Sequence, residues 1–424
     1  MPDGLRRREN DRTMCGTEMR PMKYLSKIAL LAGLAAAPSA FATPYDTLQS
    51  IAGTYNVFLL GNLGSAAAPF QGTDSQGRVA VAGNAYVNNS AINGNNVSGD
   101  GALIVGGNLS QTGGSIAGNA YVGGDATLSN TGSVQNLVVG GSLTDSGGQI
   151  SGNVFVGGAS TNLSGGVTIN GSLSLTGANS TLNAASNGGS SPSAVYVTAS
   201  SHVNDPSYWA TAKTSGGPAT PSTPLDVFGG STDITNASTS LTALSGATSV
   251  ASTGGTINIT LSKNGLNVIN LSVANGATIT GINITNANGV VPTGLIINVN
   301  GNNLNFNGGT FNLGSLSNTN VLFNFGNATS LNLQNLAFEG ALLAPLATVN
   351  FSSGHIDGAL IANTYLGPGQ INNVGFNDPL PAYSSSGGTV VATPEPGSIL
   401  LFGSGLVVLG FYGRRRSMAG APIP

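Results

Sequence analysis

The sequence predicts an all-β protein, a parallel β-helix or β-solenoid of short coils, open to a break in the stack and to a short helix packed alongside. Three observations predict it: a Val-Gly-Gly motif recurring every 17 residues, apolar residues in strand alternation through the body, and a composition rich in Gly but poor in charge. Only 7% of the 424 residues are charged, whereas roughly a quarter are charged in ordinary soluble domains; 64 are Gly and 40% are hydrophobic. A buried core is therefore available without an ordinary charged surface.

Residues 1–21 are polar, Arg-rich and without apolar periodicity, as expected of an upstream start-site extension ahead of Met22. Residues 22–42 have the order of a secretory signal peptide: Lys23 and Lys27, an apolar run over 28–37, then the small-residue site Ala40-Phe41-Ala42. Cleavage after Ala42 leaves Thr43 as the first mature residue. Cys15 is the sole cysteine and lies upstream of that site, so disulfides and thiol chemistry are excluded from the mature chain.

Residues 43–183 carry the coils. Val105, Val122, Val139 and Val156 each precede Gly-Gly at a constant spacing of 17 residues. Leu103, Ala120, Leu137 and Val154 keep step two residues earlier, and Ile116, Val134, Ile150 and Val167 follow eleven or twelve residues later. An apolar-x-apolar pair turns both side chains to one face of a strand, and Gly-Gly permits a sharp turn at positive φ. One such unit cannot bury its own face. Stacking units about 4.8 Å apart buries a column of Val, Leu and Ile, which is the logic of a solenoid. Residues 78–87 read as an earlier coil and 169–173 as a later one, while Asn and Ser beside the corners read as turn residues.

Residues 184–224 form a Pro/Ser/Gly-rich insertion or linker. Residues 225–378 are β-rich. They open with a short helix within 225–244, supported by Leu241 and Leu244, and continue with strands at 257–261, 282–284, 295–299, 321–325, 331–333, 342–346 and 349–351. Residues 379–392 form a linker.

The tail, 393–417, joins Pro394-Glu395-Pro396 to an apolar run over 399–413 and then Arg414, Arg415 and Arg416. Fifteen helical residues rise about 22 Å, marginal for a hydrocarbon core of about 30 Å, and the arginines favour a cytoplasmic end. This tripartite tail resembles the PEP-CTERM sorting signal. The resemblance implies an exosortase as processing partner, cleavage near Pro394 to Pro396, and transient residence in the inner membrane of a Gram-negative cell through the C-terminal helix.

The body resembles the choice-of-anchor A family of bacterial adhesins. The match is carried by residues 55–63, by Asp74 to Asn84 with Gly77-Arg78-Val79-Ala80-Val81, by the Val-Gly-Gly coils, and C-terminally by 324–329, Gly340-Ala341-Leu342-Leu343-Ala344-Pro345, 354–362 and Gly375-Phe376. It departs from the family at Leu346, where a polar residue commonly follows Ala-Pro, and in the Pro-rich middle. The resemblance implies a β-helix-like fold and a surface role.

Charge restricts the partners. Between residues 43 and 392 only Arg78, Lys213 and Lys263 are basic against eleven carboxylates, a formal charge of −8. Nucleic acid is not expected, because phosphate binding needs clustered cations. No cofactor and no metal are expected: Asp74 and Asp100 suit turn capping, and His202 and His355 lack a partner by spacing. No catalytic residues are expected either, since Asp125 and Asp145 occupy different repeat positions and so do not form a facing pair. The expected function is an exported, adhesin-like structural protein contributing to adhesion or biofilm cohesion, with exopolysaccharide or a cell-surface ligand as partner. Alternatives are an ice-binding solenoid, which needs a stacked Thr-x-Thr array not evident in the sequence, and a polysaccharide-acting enzyme.

Overall fold

Three short strands per coil, joined by tight corners, build the body of this protein in the computed structural model. The structure describes residues 43–184, 192–197, 202–204, 213–246, 249–253, 255–377 and 380–383. Residues 42–387 form one compact unit. The Ala40 and Ala42 cleavage motif, the Pro394-Glu395-Pro396 motif, Arg414 to Arg416 and the apolar tail lie outside the described residues. Among those described, no helix is long and apolar enough to cross a membrane.

One repeat shows how a coil is made. Ala120–Val122 lies on the first face, Ala126–Ser129 on the second and Ser133–Val134 on the third. Each strand pairs in parallel with its counterpart in the adjacent coil. Val122 pairs with both Val105 and Val139, and Val139 with Val156; all four are at most 1% exposed. The sequence expectation of two apolar stretches per coil is corrected to three strands. The second-face strand went unread because its inward positions are chemically mixed: Leu128 pairs with Asp145, and Asp145 with Leu163.

The third face also corrects one register. Ile169, not Val167, follows Ile150 in the column, because the coil beginning at Val154 is lengthened around Gly165 and Gly166.

The Gly-Gly corners form for a different reason from the one the sequence suggested. Gly106, Gly123, Gly140 and Gly157 are not among the glycines at positive φ. A Cβ on Gly123 would overlap the carbonyl oxygen of Gly106, and one on Gly140 that of Gly123. Close approach of successive backbones, rather than turn conformation, demands glycine there.

The chain does not follow the order of the stack. Val57–Leu59, the first strand, sits mid-stack, paired on one side with Val79–Val81 and on the other with Leu360–Leu366. From there the coils run outward to Ala194–Val197. The chain then restarts at Gly265–Ser272 and returns through Pro292–Asn300, Val321–Asn324 and Ala341–Asp357 to the seam. The strands expected at 342–346 and 349–351 are parts of that one long strand.

Two helices cover the first face: α1, Pro44–Thr54, and α2, Ser231–Thr242. α1 begins at a capping box in which Thr43 accepts from the Asp46 amide and Asp46 accepts from Thr43. Phe58, Ile104, Tyr121, Val138 and Phe155, the outward middle residues of their strands, join the helices in a second core. α2 is held by polar contacts as well. Asn324 donates to the Ser238 carbonyl at 2.9 Å and accepts from the Ser238 hydroxyl at 2.6 Å, while Asn298 donates to the Leu241 carbonyl at 2.6 Å.

Candidate functional site

The second face carries the feature best suited to contacting something outside the chain. In a parallel stack, equivalent positions repeat at about 4.8 Å, so outward side chains form rows along the rod. One row runs Tyr86, Ser110, Thr127, Thr144, Asn162 and Asn183; another runs Asn88, Thr112, Ser129, Ser146 and Ser164. Every member is uncharged and at least partly exposed. Beyond the seam the same face continues as an amide ladder, with Asn332 donating to Asn305 at 2.8 Å and Asn350 to Asn332 at 3.0 Å. This array was hidden in the sequence, because its members fall 17 to 27 residues apart and, Tyr86 aside, vary among Ser, Thr and Asn.

Tyr86 gives the face one aromatic surface. It borders a shallow open depression shared with Ser65, Pro69, Asn88, Ser110 and Thr112. Such a combination offers an apolar ring flanked by hydroxyl and amide groups, the chemistry that recognises a neutral sugar.

The corner Asn residues hold the coils rather than a ligand. Oδ1 of Asn62 accepts from the Asn84 amide, Asn84 from Asn108, Asn108 from Asp125 and Asp125 from Ser142, each at 2.8 Å. Asp125 is thus one rung of a capping ladder.

The carboxylates fall into distinct environments. Asp145 is fully buried beneath the second face, where it accepts from the Gly148 amide at 3.0 Å while its Oδ2 has no partner. Burial pushes its pKa up to about 6. Arg78 is buried over Tyr55 and donates through Nε to the Gly101 carbonyl at 2.9 Å, and through Nη2 to the Asp100 carbonyl. His355, for which spacing offers no partner, lies with Glu339 and Asp357 so that one ligand atom of each falls within 4.8 Å of the others. Glu339 and Asp357 are in register on adjacent strands. His202 pairs through its backbone with Thr181.

Comparison with known proteins places this geometry. The family model described as "Putative Ice-binding-like adhesive domain" matches residues 48–137 and 103–373, the overlap falling on the repeated coils. The PEP-CTERM protein-sorting motif matches residues 392–416. No curated protein and no solved structure matches the chain.

Proposed function

Because the chain belongs to the ice-binding-like adhesive domain family and ends in a PEP-CTERM sorting motif, we propose that it holds an extracellular matrix together by binding polysaccharide along its second face. It is an exported, adhesin-like protein sorted by an exosortase, with a C-terminal membrane anchor before processing. Within that frame the choice-of-anchor A grouping, a Gram-negative host and a role in biofilm cohesion are parts of the proposal.

The uncharged rows beside Tyr86 carry the reading. Adhesion by many weak, repeated contacts suits a rod whose polar groups recur at a fixed spacing, since linked contacts gain avidity without any single strong site. The absence of charge from the rows favours a neutral glycan over an acidic one.

We further propose that the protein is not an enzyme. Asp145 is shut away from substrate, and Asp125 is engaged in the corner ladder. Glu339 and Asp357 stand side by side on one ladder, whereas glycoside hydrolysis needs carboxyl groups on either side of the scissile bond.

Binding of the secreted chain to the host's own exopolysaccharide tests the proposal. Tyr86→Ala combined with Thr127→Lys and Thr144→Lys should lower retention on immobilised polysaccharide at least tenfold while leaving thermal unfolding nearly unchanged. Undiminished retention removes the second face from the interaction, and loss of polymer length on incubation with wild type supports an enzyme instead. Ice binding is a second reading, favoured by the stacked hydroxyls Thr127, Ser129, Thr144 and Ser146. Thermal hysteresis abolished by the same variant would establish it.

A further inference from the structure

We propose that Glu339, His355 and Asp357 form a binding site for a divalent cation of the zinc class. The solenoid itself assembles the group. Glu339 closes the strand Ser330–Glu339 and pairs with Asp357 at the end of Ala341–Asp357, which pairs in turn with Asn372 in Gln370–Asn372. Two carboxylates are thereby stacked one coil apart. His355 lies two residues before Asp357 on the same side of the strand, its Nε2 at 3.5 Å from Asp357 Oδ2.

This arrangement is costly as it stands. Like charges directly opposite on neighbouring strands repel. Among the described residues no Lys or Arg forms an ion pair with either carboxylate; their cationic neighbour is His355, charged only when protonated.

A second observation comes from Asn372. Its Nδ2 donates to Asp357 Oδ1, while its own Oδ1 is closed off from solvent and has no hydrogen-bond donor. Glu339 receives a weaker contact, from Asn318 Nδ2 at 3.2 Å. A carboxylate pair and an imidazole thus come together beside an amide whose oxygen is unsatisfied, a set that lacks positive charge.

The donor types select the ion. Calcium and magnesium take oxygen ligands almost exclusively, whereas one imidazole with two carboxylates suits zinc and its first-row neighbours. With its side chain 40% exposed, His355 leaves a solvent route to the site and room for a water ligand. Three protein ligands and one open position make a common zinc arrangement.

The position gives the ion a structural role. Glu339, Asp357 and Asn372 belong to three strands that lie side by side in one ladder, and Asn56 of the first N-terminal coil donates to the Asn372 carbonyl at 2.7 Å. A bound cation would tie the returning coils together beside the seam where the two runs of the solenoid meet.

The test uses the secreted chain, purified without a histidine tag, stripped with chelator and titrated calorimetrically with Zn²⁺, Mn²⁺ or Ca²⁺, with thermal unfolding followed in parallel. Uptake of one Zn²⁺ per chain with a rise in Tm is expected, together with at least a tenfold loss of affinity in His355→Ala and loss of uptake in Glu339→Gln combined with Asp357→Asn. Asp100→Asn should bind Zn²⁺ like wild type. Because the metal-induced change is read within each variant, a general loss of stability does not mimic loss of the site. No Zn²⁺ uptake overturns the proposal, as does uptake unaltered by His355→Ala or Ca²⁺ binding equal to that of Zn²⁺.

Discussion

Asp145 is a buried residue whose replacement should raise stability. It occupies an inward position between Leu128 and Leu163 and accepts a hydrogen bond from the Gly148 amide. Burial raises its pKa from 3.8 to about 6. A raised carboxyl pKa means that the folded chain binds the proton more tightly than the unfolded one, so stability falls as pH rises from about 4 to about 6 and levels off above that window. At about 1.36 kcal/mol per pKa unit, keeping Asp145 ionised costs about 3 kcal/mol at pH 7.5, whereas the linkage cost at pH 4.5 is about 1 kcal/mol. Asp145→Asn retains the acceptor for Gly148 and removes the charge. Its unpaired amide N–H takes back about 1 kcal/mol, leaving a net gain of about 2 kcal/mol at pH 7.5 and about none at pH 4.5. Urea unfolding of both proteins at the two pH values measures this directly. The difference between the proteins isolates Asp145 from Glu339, whose raised pKa acts in the same direction. Equal stabilisation at both pH values, or destabilisation at pH 7.5, would refute the assignment of a buried ionised carboxylate.

Val139→Asp should cost several kcal/mol, on the order of 4, by placing a charge in the inner column without a partner, while Thr144→Asp on the exposed row should cost under about 1 kcal/mol; thermal unfolding compares them. Gly124→Ala is expected to destabilise by about 2 kcal/mol, because its Cβ would overlap Asn108 Oδ1. Gly53→Ala, in α1 with nothing within 4 Å of the added carbon, should instead stabilise by about 0.5 to 1 kcal/mol, as denaturant midpoints would show. Replacing Pro394-Glu395-Pro396 with three alanines should leave an uncut, membrane-held form, detected by fractionation and intact mass; normal release would show that processing does not read this motif.

The sequence alone determined the solenoid class, because a fixed 17-residue period can bury its valines only by stacking. It also determined the route of the protein, since the sorting tail is a contiguous motif that needs no folding to be read. What it left open depends on contacts between distant coils. The corner glycines were legible as corners, but their reason, the nearness of the preceding coil's carbonyl, exists only once the coils are stacked. The outward apolar residues Ile104, Tyr121, Val138 and Phe155 stood unread between the inward positions of their strands, and only the paths of α1 and α2 show what covers them. Likewise the hydroxyl rows and the Glu339, His355 and Asp357 group are scattered along the chain. Their members meet because parallel pairing sets residues 15 to 24 positions apart side by side, and coil lengths vary enough that no constant spacing reveals which ones. The mid-stack start was decided by tertiary structure alone, for Val57–Leu59 meets Leu360–Leu366 across most of the chain's length, a pairing on which local propensity has no bearing.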